Sequence, residues 1–452
     1  MGKKKFRRIF VEGAGLVGPC YAALFENDAD EIIIFEKRPY ADCCRTYGKS
    51  INLGISFKGW NLFNHLGYTE KIQKLIVPMR GRMIHGLTDV NKRSIQSYGY
   101  YENGKEQTLD SVSRLGLSLL LTELAQRHSN VKFLFSVGVE KVDLSSKNRK
   151  LVLSTGEVIE VGKDDLVIAS GGVNSQIRKS LQEQHLITGI TGGRIMLNYS
   201  YIEIEKNLGT GYPVPPNYLH IWPRGQQMFA ALPNPGGTLT GAVYAPQSGT
   251  MSFNDIYSVG SRRFFEENFS TLLKFIPNLI EQFDAGKPSQ LSEVRLSKWH
   301  FENFVIVGDA AHALVPFLGQ GMNFSMYLAL KLFGLLKEHS TTEAALNEFE
   351  KYRSDANLLA NWSEKNFHEM SGTHNPELQL RKEIEEQLEI NFPKFASFHT
   401  KACFREGLDY ADIEKQTLES DVVFTNVLKL PNVFTDWKTT LWPQIVSMMV
   451  PA

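Results

Sequence analysis

The chain of 452 residues carries no surplus of charge, since Lys plus Arg and Asp plus Glu both number 49 and the formal net charge is zero. Nothing in that balance draws the protein to nucleic acid or to an acidic membrane surface. Cysteine is scarce. The four present, Cys20, Cys43, Cys44 and Cys403, have neither zinc-ligand spacing nor the layout of a disulfide framework, which argues against a stapled secreted scaffold and for a reducing, cytoplasmic setting. Cys43 and Cys44 are read as two ordinary thiols rather than a redox pair, because neighbouring cysteines rarely meet disulfide geometry. No apolar run has the length of a membrane span, and the tail "LWPQIVSMMVPA" is short and broken by prolines. The basic start "KKKFRR" does not read as a signal peptide, because "IFVEGAGLVG" places Glu12 and three glycines where an apolar helix should follow. Phe6 stands where a myristoylation signal needs Ser or Thr. Internal repeats and low-complexity segments are also missing.

What is there reads first as strand, glycine turn, helix, strand: "FRRIFV", "GAGLVG", "PCYAALFEND" and the β-branched "EIIIFE". "GWNLFNHLG" and "SVSRLGLSLLLTELAQRH" follow as helices, the second opened by a serine cap. "KFLFSV" and "KLVLSTGEVIEV" read as strands of a small β layer, and "DLVIAS" as a further strand. Between about residues 190 and 300 the texture changes. "RIMLNYSYIEIE", "NYLHIWP", "QMFAALP" and "TLTGAVYAP", separated by Pro and Gly clusters, suggest a distinct antiparallel sheet. "NFVIVGDA" then returns to buried-strand texture, and from "GMNFSMYLALKLFGLL" onward the chain is mainly helical. The expected fold class is α/β: a Rossmann-like dinucleotide domain in separated stretches (1–75, 100–185, 295–340), an inserted antiparallel β-sheet domain (76–99, 186–294) and a C-terminal helical region (341–452).

Two motifs carry chemistry. "GAGLVG" supplies Gly13, Gly15 and Gly18 in the G-x-G-x-x-G pattern, where glycines permit a tight turn, close approach to a pyrophosphate and close helix–strand packing. Its context supports it: a strand before, a helix after, and Glu36 at the end of the second strand, the place of a carboxylate that binds an adenosine ribose. The alternative is a glycine-rich turn with an incidental surface Glu. Only one such fingerprint is present, where an enzyme with separate FAD and NADPH domains would usually show two. In "VIVGDAAHALVPFLGQGMN" the strand ends in Gly-Asp, bringing Asp309 to the carboxyl edge of a parallel sheet, where ligands bind. "GQGMN" then enters a helix whose first amides face a developing negative charge.

"GAGLVG", "GDAAHALVPFLGQGMN", "PMRGRMIH", "SINL", "SVSR" and "PNYLHIWPR…ALPN" together resemble the group A flavoprotein aromatic hydroxylases, and within them the kynurenine 3-monooxygenase family. The resemblance runs to about residue 330 and more faintly to 370. It implies FAD as cofactor, NADPH and molecular oxygen as co-substrates, a flavin C4a-hydroperoxide as oxygen donor, and an aromatic amino acid such as L-kynurenine as substrate. No metal, nucleophilic triad or nucleic acid is implied. On the cofactor side it places Gly13, Gly15, Gly18, Glu36, Arg38, Arg114, Asp309, Gly321, Met322 and Asn323. For Arg114 the alternative is an ordinary cation early in a helix, where the dipole does not favour it. On the substrate side it places Arg82 and Tyr98 as a carboxylate clamp, a task suited to the planar guanidinium. Asn366, Glu369 and Met370 of "NFHEM", with Phe317, are further pocket candidates, and for Phe317 and Met370 plain core packing competes. His312 is given a structural hydrogen-bonding role.

The pattern fails in places. Gly171 of "IASGGVNSQIR" stands where the family carries Asp, an aspartate associated with FAD and the nicotinamide, although Gly172, Ser175 and Arg178 fit. After "GQGMN" small and acidic residues are expected, and the chain reads "FSMYLAL". Phe395 is the nearest counterpart to an expected pocket tyrosine, and the hydrophobic membrane anchor of eukaryotic members is not found. Three functions stay open: a kynurenine hydroxylase, a hydroxylase of another aryl amino acid or aromatic amine, and a degenerate flavin-binding protein without turnover.

Overall fold

The computed structural model describes residues 4–43, 51–86, 93–100, 104–144, 149–192, 197–204, 214–286, 288–372, 375–392, 395–405, 407–408 and 410–450. Cys44 lies outside them. The chain forms two compact units, one from 1–76, 112–196 and 291–363, the other from 77–111, 197–290 and 364–452.

The first unit is organised by the strand Phe6–Glu12, which is buried along most of its length between two parallel neighbours, Ala29–Glu36 and Asp165–Ala169. A strand covered on both faces needs near-continuous apolar character, and "IFV" supplies it. The six-stranded sheet runs His300–Phe301, Phe304–Ile306, Asp165–Ala169, Phe6–Glu12, Ala29–Glu36, Val131–Phe135, parallel except for the short hairpin at its first edge. Here the expectation for "KFLFSV" is corrected. Val131–Phe135 belongs to this main sheet, because the helix Arg114–Ala125 serves as a crossover that returns the chain parallel to Ala29–Glu36. The small antiparallel layer is made instead by Val139–Asp143, Arg149–Leu153 and Val158–Val161. Helix Val17–Leu24 packs against Arg114–Ala125 and against the long helix Gly321–Glu338. Because the five parallel strands share a direction, the turns after Glu12, Glu36, Ala169 and Ile306 emerge at one edge of the sheet. That edge is where open α/β sheets bind ligands.

The second unit is built on a seven-stranded sheet in the order Ser289–Gln290, Leu197–Ile204, Leu239–Pro246, Gln227–Pro233, Leu219–Arg224, Gly81–His85, Arg93–Ser97. Its pairings are antiparallel except that of Leu219–Arg224 with Gly81–His85. The helices Phe253–Val259, Ser261–Asn268 and Leu279–Ala285 cover it, burying Trp222, Phe229, Val243, Phe253, Phe265, Phe269 and Phe283 in one cluster. These helices stand where the sequence suggested sheet alone; at seven or eight residues each they are too short for periodicity to separate from strand. The last part of the chain is helical, with Pro376–Asn391, Tyr410–Val427 and Trp442–Met449 meeting at Leu380, Ile384, Leu388, Phe424, Val427 and Ile445. Phe395 packs on that cluster. Among the described residues no helix is long and apolar enough to cross a membrane.

Candidate active site

The three glycines after the first strand serve different physical needs. Gly13 has φ +91°, a conformation that penalises a side chain, and its N–H is tied to Phe35 O at 2.8 Å. Gly18 lets the helix settle on the turn, since a Cβ there would lie 2.2 Å from Gly13 O. Gly15 has an unremarkable backbone, and a Cβ on it would meet nothing within 4 Å. Among the described residues no atom gives a reason for glycine at 15, and the open space beside it is what a closely approaching pyrophosphate requires. Glu36 closes this end: its carboxylate accepts hydrogen bonds from Ala14 N (2.9 Å), Arg38 N (3.0 Å) and Arg38 Nε (2.9 Å). Burial opposes its charge, yet these bonds hold its carboxyl below the usual carboxylate range.

At the end of Phe304–Ile306 the chain turns through Gly308, φ +60°, into the single helical turn Asp309–His312. Asp309 is half-buried, and its carboxylate makes no hydrogen bond or ion pair among the described residues. Phe317 is buried in the turn Pro316–Leu318. Gln320, fully buried, leaves both amide atoms without a partner among the described residues. Helix Gly321–Glu338 opens without a side-chain cap, so the first amides, at Gly321, Met322 and Asn323, have no acceptor in the helix. The Asn323 side chain is otherwise engaged, accepting from Ser56 N and donating to Gly54 O and Gly319 O, each at 2.8 Å. An open glycine turn, a bare carboxylate and unclaimed helix amides along one sheet edge fit an extended flavin dinucleotide.

One expectation changes at this edge. The His312 side chain makes no hydrogen bond among the described residues: both ring nitrogens are buried without partners, and the ring packs on Trp299 and Phe324 with centroids 5.2 Å from each. Burial pulls its pKa down to about 4, so it is a neutral aromatic filler rather than a hydrogen-bonding element. Phe324, one of the residues departing from the family pattern, is what it packs against. Arg114, by contrast, is exposed at the first position of its helix, which Ser113 caps through Gly116 N. It has no acidic partner among the described residues, which fits a cation awaiting an anion.

In the second unit Arg82 is buried on Gly81–His85, opposite Gln96, with Nε unpaired among the described residues. Tyr98 is buried beside it; burial pushes the phenol up, and the charge and hydrogen bond of Arg82 pull it back. The Tyr98 ring stacks on His399 at 5.5 Å and meets Phe404 at 5.2 Å. Lys382, on Pro376–Asn391, is driven down to about 8 by burial and then by Arg82, against the pull of Glu369 and Glu385. The same two causes, with Lys382 added, hold His399 well below its ordinary value. Three basic groups therefore crowd one place and two are pressed toward neutrality, which an arriving carboxylate would relieve. Asn366 and Met370 are buried on Arg353–Ser371, where Asn366 Nδ2 reaches Met370 Sδ at 3.4 Å, and Glu369 is half-buried.

Glu12, Lys382 and His399 are the residues that sequence reasoning passed over. Glu12 had a local signal, a lone acid ending a buried strand directly before the glycine turn. Lys382 and His399 had none, sitting in a charged helical region far along the chain from Arg82. Among the described residues no group of three or more His, Cys, Asp or Glu is arranged to hold a metal ion.

Comparison with known proteins bears on both units. The family described as FAD binding domain matches residues 266–366. A kynurenine 3-monooxygenase of Flavobacterium psychrophilum is 30% identical over 451 residues, covering 96% of this chain and 97% of the relative. That of Dictyostelium discoideum is 31% identical and covers 93% of each. Among solved structures, 2-methyl-3-hydroxypyridine-5-carboxylic acid oxygenase aligns with TM-score 0.64 at 20% identity, over 86% of this chain and 98% of its own. HpxO of Klebsiella pneumoniae, complexed with FAD and uric acid, aligns with TM-score 0.63 at 16% identity, over 93% and 96%. The structural matches establish the FAD-binding monooxygenase fold, and with relatives about 30% identical across nearly the whole length the chain belongs to the kynurenine 3-monooxygenase family of FAD-dependent aromatic monooxygenases.

Proposed function

We propose that this protein hydroxylates L-kynurenine to 3-hydroxykynurenine, with NADPH as the reductant. The observation that carries the substrate is Arg82, buried beside Tyr98, whose ring stacks on His399 at 5.5 Å, with Lys382 close to Arg82 and to the acids Glu369 and Glu385, a set of donors suited to the carboxylate of an amino acid. Arg82 offers two parallel N–H donors to that carboxylate, and Tyr98 adds a hydroxyl donor. Glu369, which already pulls electrostatically on Lys382, is the acceptor for the α-ammonium group. On the cofactor side, Gly13, Gly15 and Gly18 admit the pyrophosphate, Glu36 and Arg38 take the adenosine end, and Arg114 meets an anionic group. Asp309 accepts from ribityl hydroxyls, and the amides of Gly321, Met322 and Asn323 stabilise negative charge at the flavin ring. When bound, the flavin supplies the oxygen-activating redox chemistry, and the protein supplies orientation and electrostatics.

The test follows NADPH oxidation by the FAD-loaded protein with and without L-kynurenine, and weighs the product for one added oxygen atom. Stimulation with that product is expected; tight FAD without stimulation by kynurenine sinks the substrate assignment. A panel of other aryl amino acids and aromatic amines identifies a related hydroxylase. Arg82→Met should raise KM for kynurenine roughly 10- to 100-fold, the worth of a charge-assisted bidentate contact, while FAD affinity stays within about twofold.

A further inference from the structure

Glu12 ends the strand Phe6–Glu12 directly opposite Ala169, so the turns that follow the two strands leave the sheet side by side. They touch: Ser170 Oγ donates to Glu12 O at 2.7 Å, and a Cβ on Gly13 would lie 3.1 Å from Ser170 O. The Glu12 side chain stays inside, 7% exposed. One of its oxygens accepts from Gln176 N at 2.6 Å and Ile177 N at 3.4 Å, and the other from Ser175 Oγ at 2.5 Å. Gln176 and Ile177 begin the helix Gln176–Glu183, whose first turn contains no acidic residue of its own. Burial pushes the Glu12 carboxyl up, against the pull of these hydrogen bonds and of Arg178, and it is this buried carboxyl group from a neighbouring strand that takes the orphan amides of that helix.

Gly171 fits the same picture. Its φ is −71°, open to any residue, so the backbone does not call for glycine. Space does: a Cβ on Gly171 would lie 2.6 Å from Glu12 Cδ and 2.8 Å from both carboxylate oxygens. Residue 171 is glycine because the Glu12 carboxylate fills the place of its side chain. From the same helix Arg178, 1% exposed, donates to Val173 O at 2.6 Å and Ala310 O at 3.3 Å, tying this turn to the one that carries Asp309.

We propose that Glu12 is a positioning residue for FAD, delivering from the first strand the carboxylate that an acidic side chain at 171 would otherwise supply, and so fixing the turn 170–175 against the glycine turn. This rests on the cofactor reading above. Its consequence is that the missing Asp at 171 is a relocation of the carboxyl group, not a loss.

The experiment measures FAD affinity by flavin fluorescence quenching, together with apoprotein melting, for E12Q, E12A, G171A, G171D, E12A/G171A and E12A/G171D. G171A and G171D should each weaken FAD binding at least tenfold by displacing the carboxylate, and E12A about tenfold by removing it. E12A/G171D should return to within about threefold of the unaltered protein, because the carboxylate comes back by the other route. E12A/G171A should not recover, having regained volume without the carboxyl group. The near-isosteric E12Q separates the role of the carboxyl group from folding: it should melt close to the unaltered protein yet bind FAD more weakly. E12A or E12Q with undiminished affinity, or E12A/G171A recovering as fully as E12A/G171D, overturns the proposal. An unaltered protein that takes up no FAD is the separate result that sinks the cofactor reading.

Discussion

Two aspartates of the main sheet have opposite fates, and the difference separates stability from function. Asp165 starts its strand with its side chain buried, accepting from Arg7 Nη2 at 2.8 Å, Arg8 Nη2 at 2.7 Å and Gly162 N at 2.8 Å. Burial opposes its charge, but these bonds hold its carboxyl at about 2. Its contribution is therefore complete above the ordinary value of 3.8 and is lost as pH falls toward 2. Asp309, at the opposite edge, has nothing among the described residues to satisfy it. Asp165→Asn should cost about 2 kcal/mol in a urea melt at neutral pH, less than a wholly buried pair because Arg7 is largely exposed. Asp309→Asn should leave the apoprotein melt unchanged and weaken FAD at least tenfold. If Asp309→Asn costs the apoprotein as much as Asp165→Asn does, its carboxylate has a structural partner after all. In sequence both are an Asp beside an apolar run. Asp309 stood out because glycines and a helix followed it, whereas the arginine partners of Asp165 lie more than 150 residues earlier.

At the scale of elements, one side chain of the helix Gly321–Glu338 bonds the strand Asn52–Ile55 and the turn into the helix Phe57–His65, against which the long helix also packs. Asn323 bonds Ser56 N, Gly54 O and Gly319 O, and a Cβ on Gly59 would lie 2.7 Å from Asn323 Oδ1. Asn323→Ala leaves buried backbone groups unpaired and should cost roughly 3 kcal/mol; Asn323→Asp should cost more, since an oxygen would then face two carbonyls. Chemical denaturation reads both, and an alanine variant as stable as the unaltered protein contradicts the stapling role. No sequence pattern announced this contact, although "GQGMN" itself was conspicuous. The same limit explains the strand Val131–Phe135, recognised as a strand but given to the wrong sheet. A strand's own residues report that it is extended and half or wholly buried; its partner is decided by the crossover helix before it. The glycine turn, Glu36 and Asp309 were legible because their geometry is local. Glu12 against Gly171, and Lys382 with His399 around Arg82, were not, because each joins segments that only the folded chain brings together.

Across the whole molecule, buried neutral histidines make both units sensitive to acid. In the second unit His85 Nε2 meets His220 Nδ1 at 2.9 Å, and His220 Nε2 meets Pro215 O at 2.8 Å. A carbonyl can only accept, so His220 is protonated at Nε2 and takes the His85 proton at Nδ1. A second proton on His220 would set two N–H groups against each other. Burial holds His220 down at about 4, and burial followed by His220 holds His85 at about 2 while its ring stacks on Trp222 at 3.8 Å. In the first unit His312 is held at about 4 by burial alone. Each is neutral when folded and protonates near 6.5 when unfolded, so the unfolded chain binds more protons as pH falls below 6.5. Stability is complete above that value and declines toward pH 4, by about 3 kcal/mol for a ring displaced from 6.5 to about 4. The melting temperature should therefore drop steeply from pH 7 to pH 5, in a window where Asp165 remains ionised and contributes nothing to the loss. His312→Phe isolates one ring: it loses no hydrogen bond, keeps an aromatic against Trp299 and Phe324, and should melt close to the unaltered protein at pH 7. At pH 5 it should retain roughly 5 °C that the unaltered protein loses, about 2 kcal/mol for a domain of this size. Equal slopes for the two proteins between pH 7 and pH 5 would mean that His312 can take up a proton without unfolding the chain, and that acid sensitivity enters elsewhere.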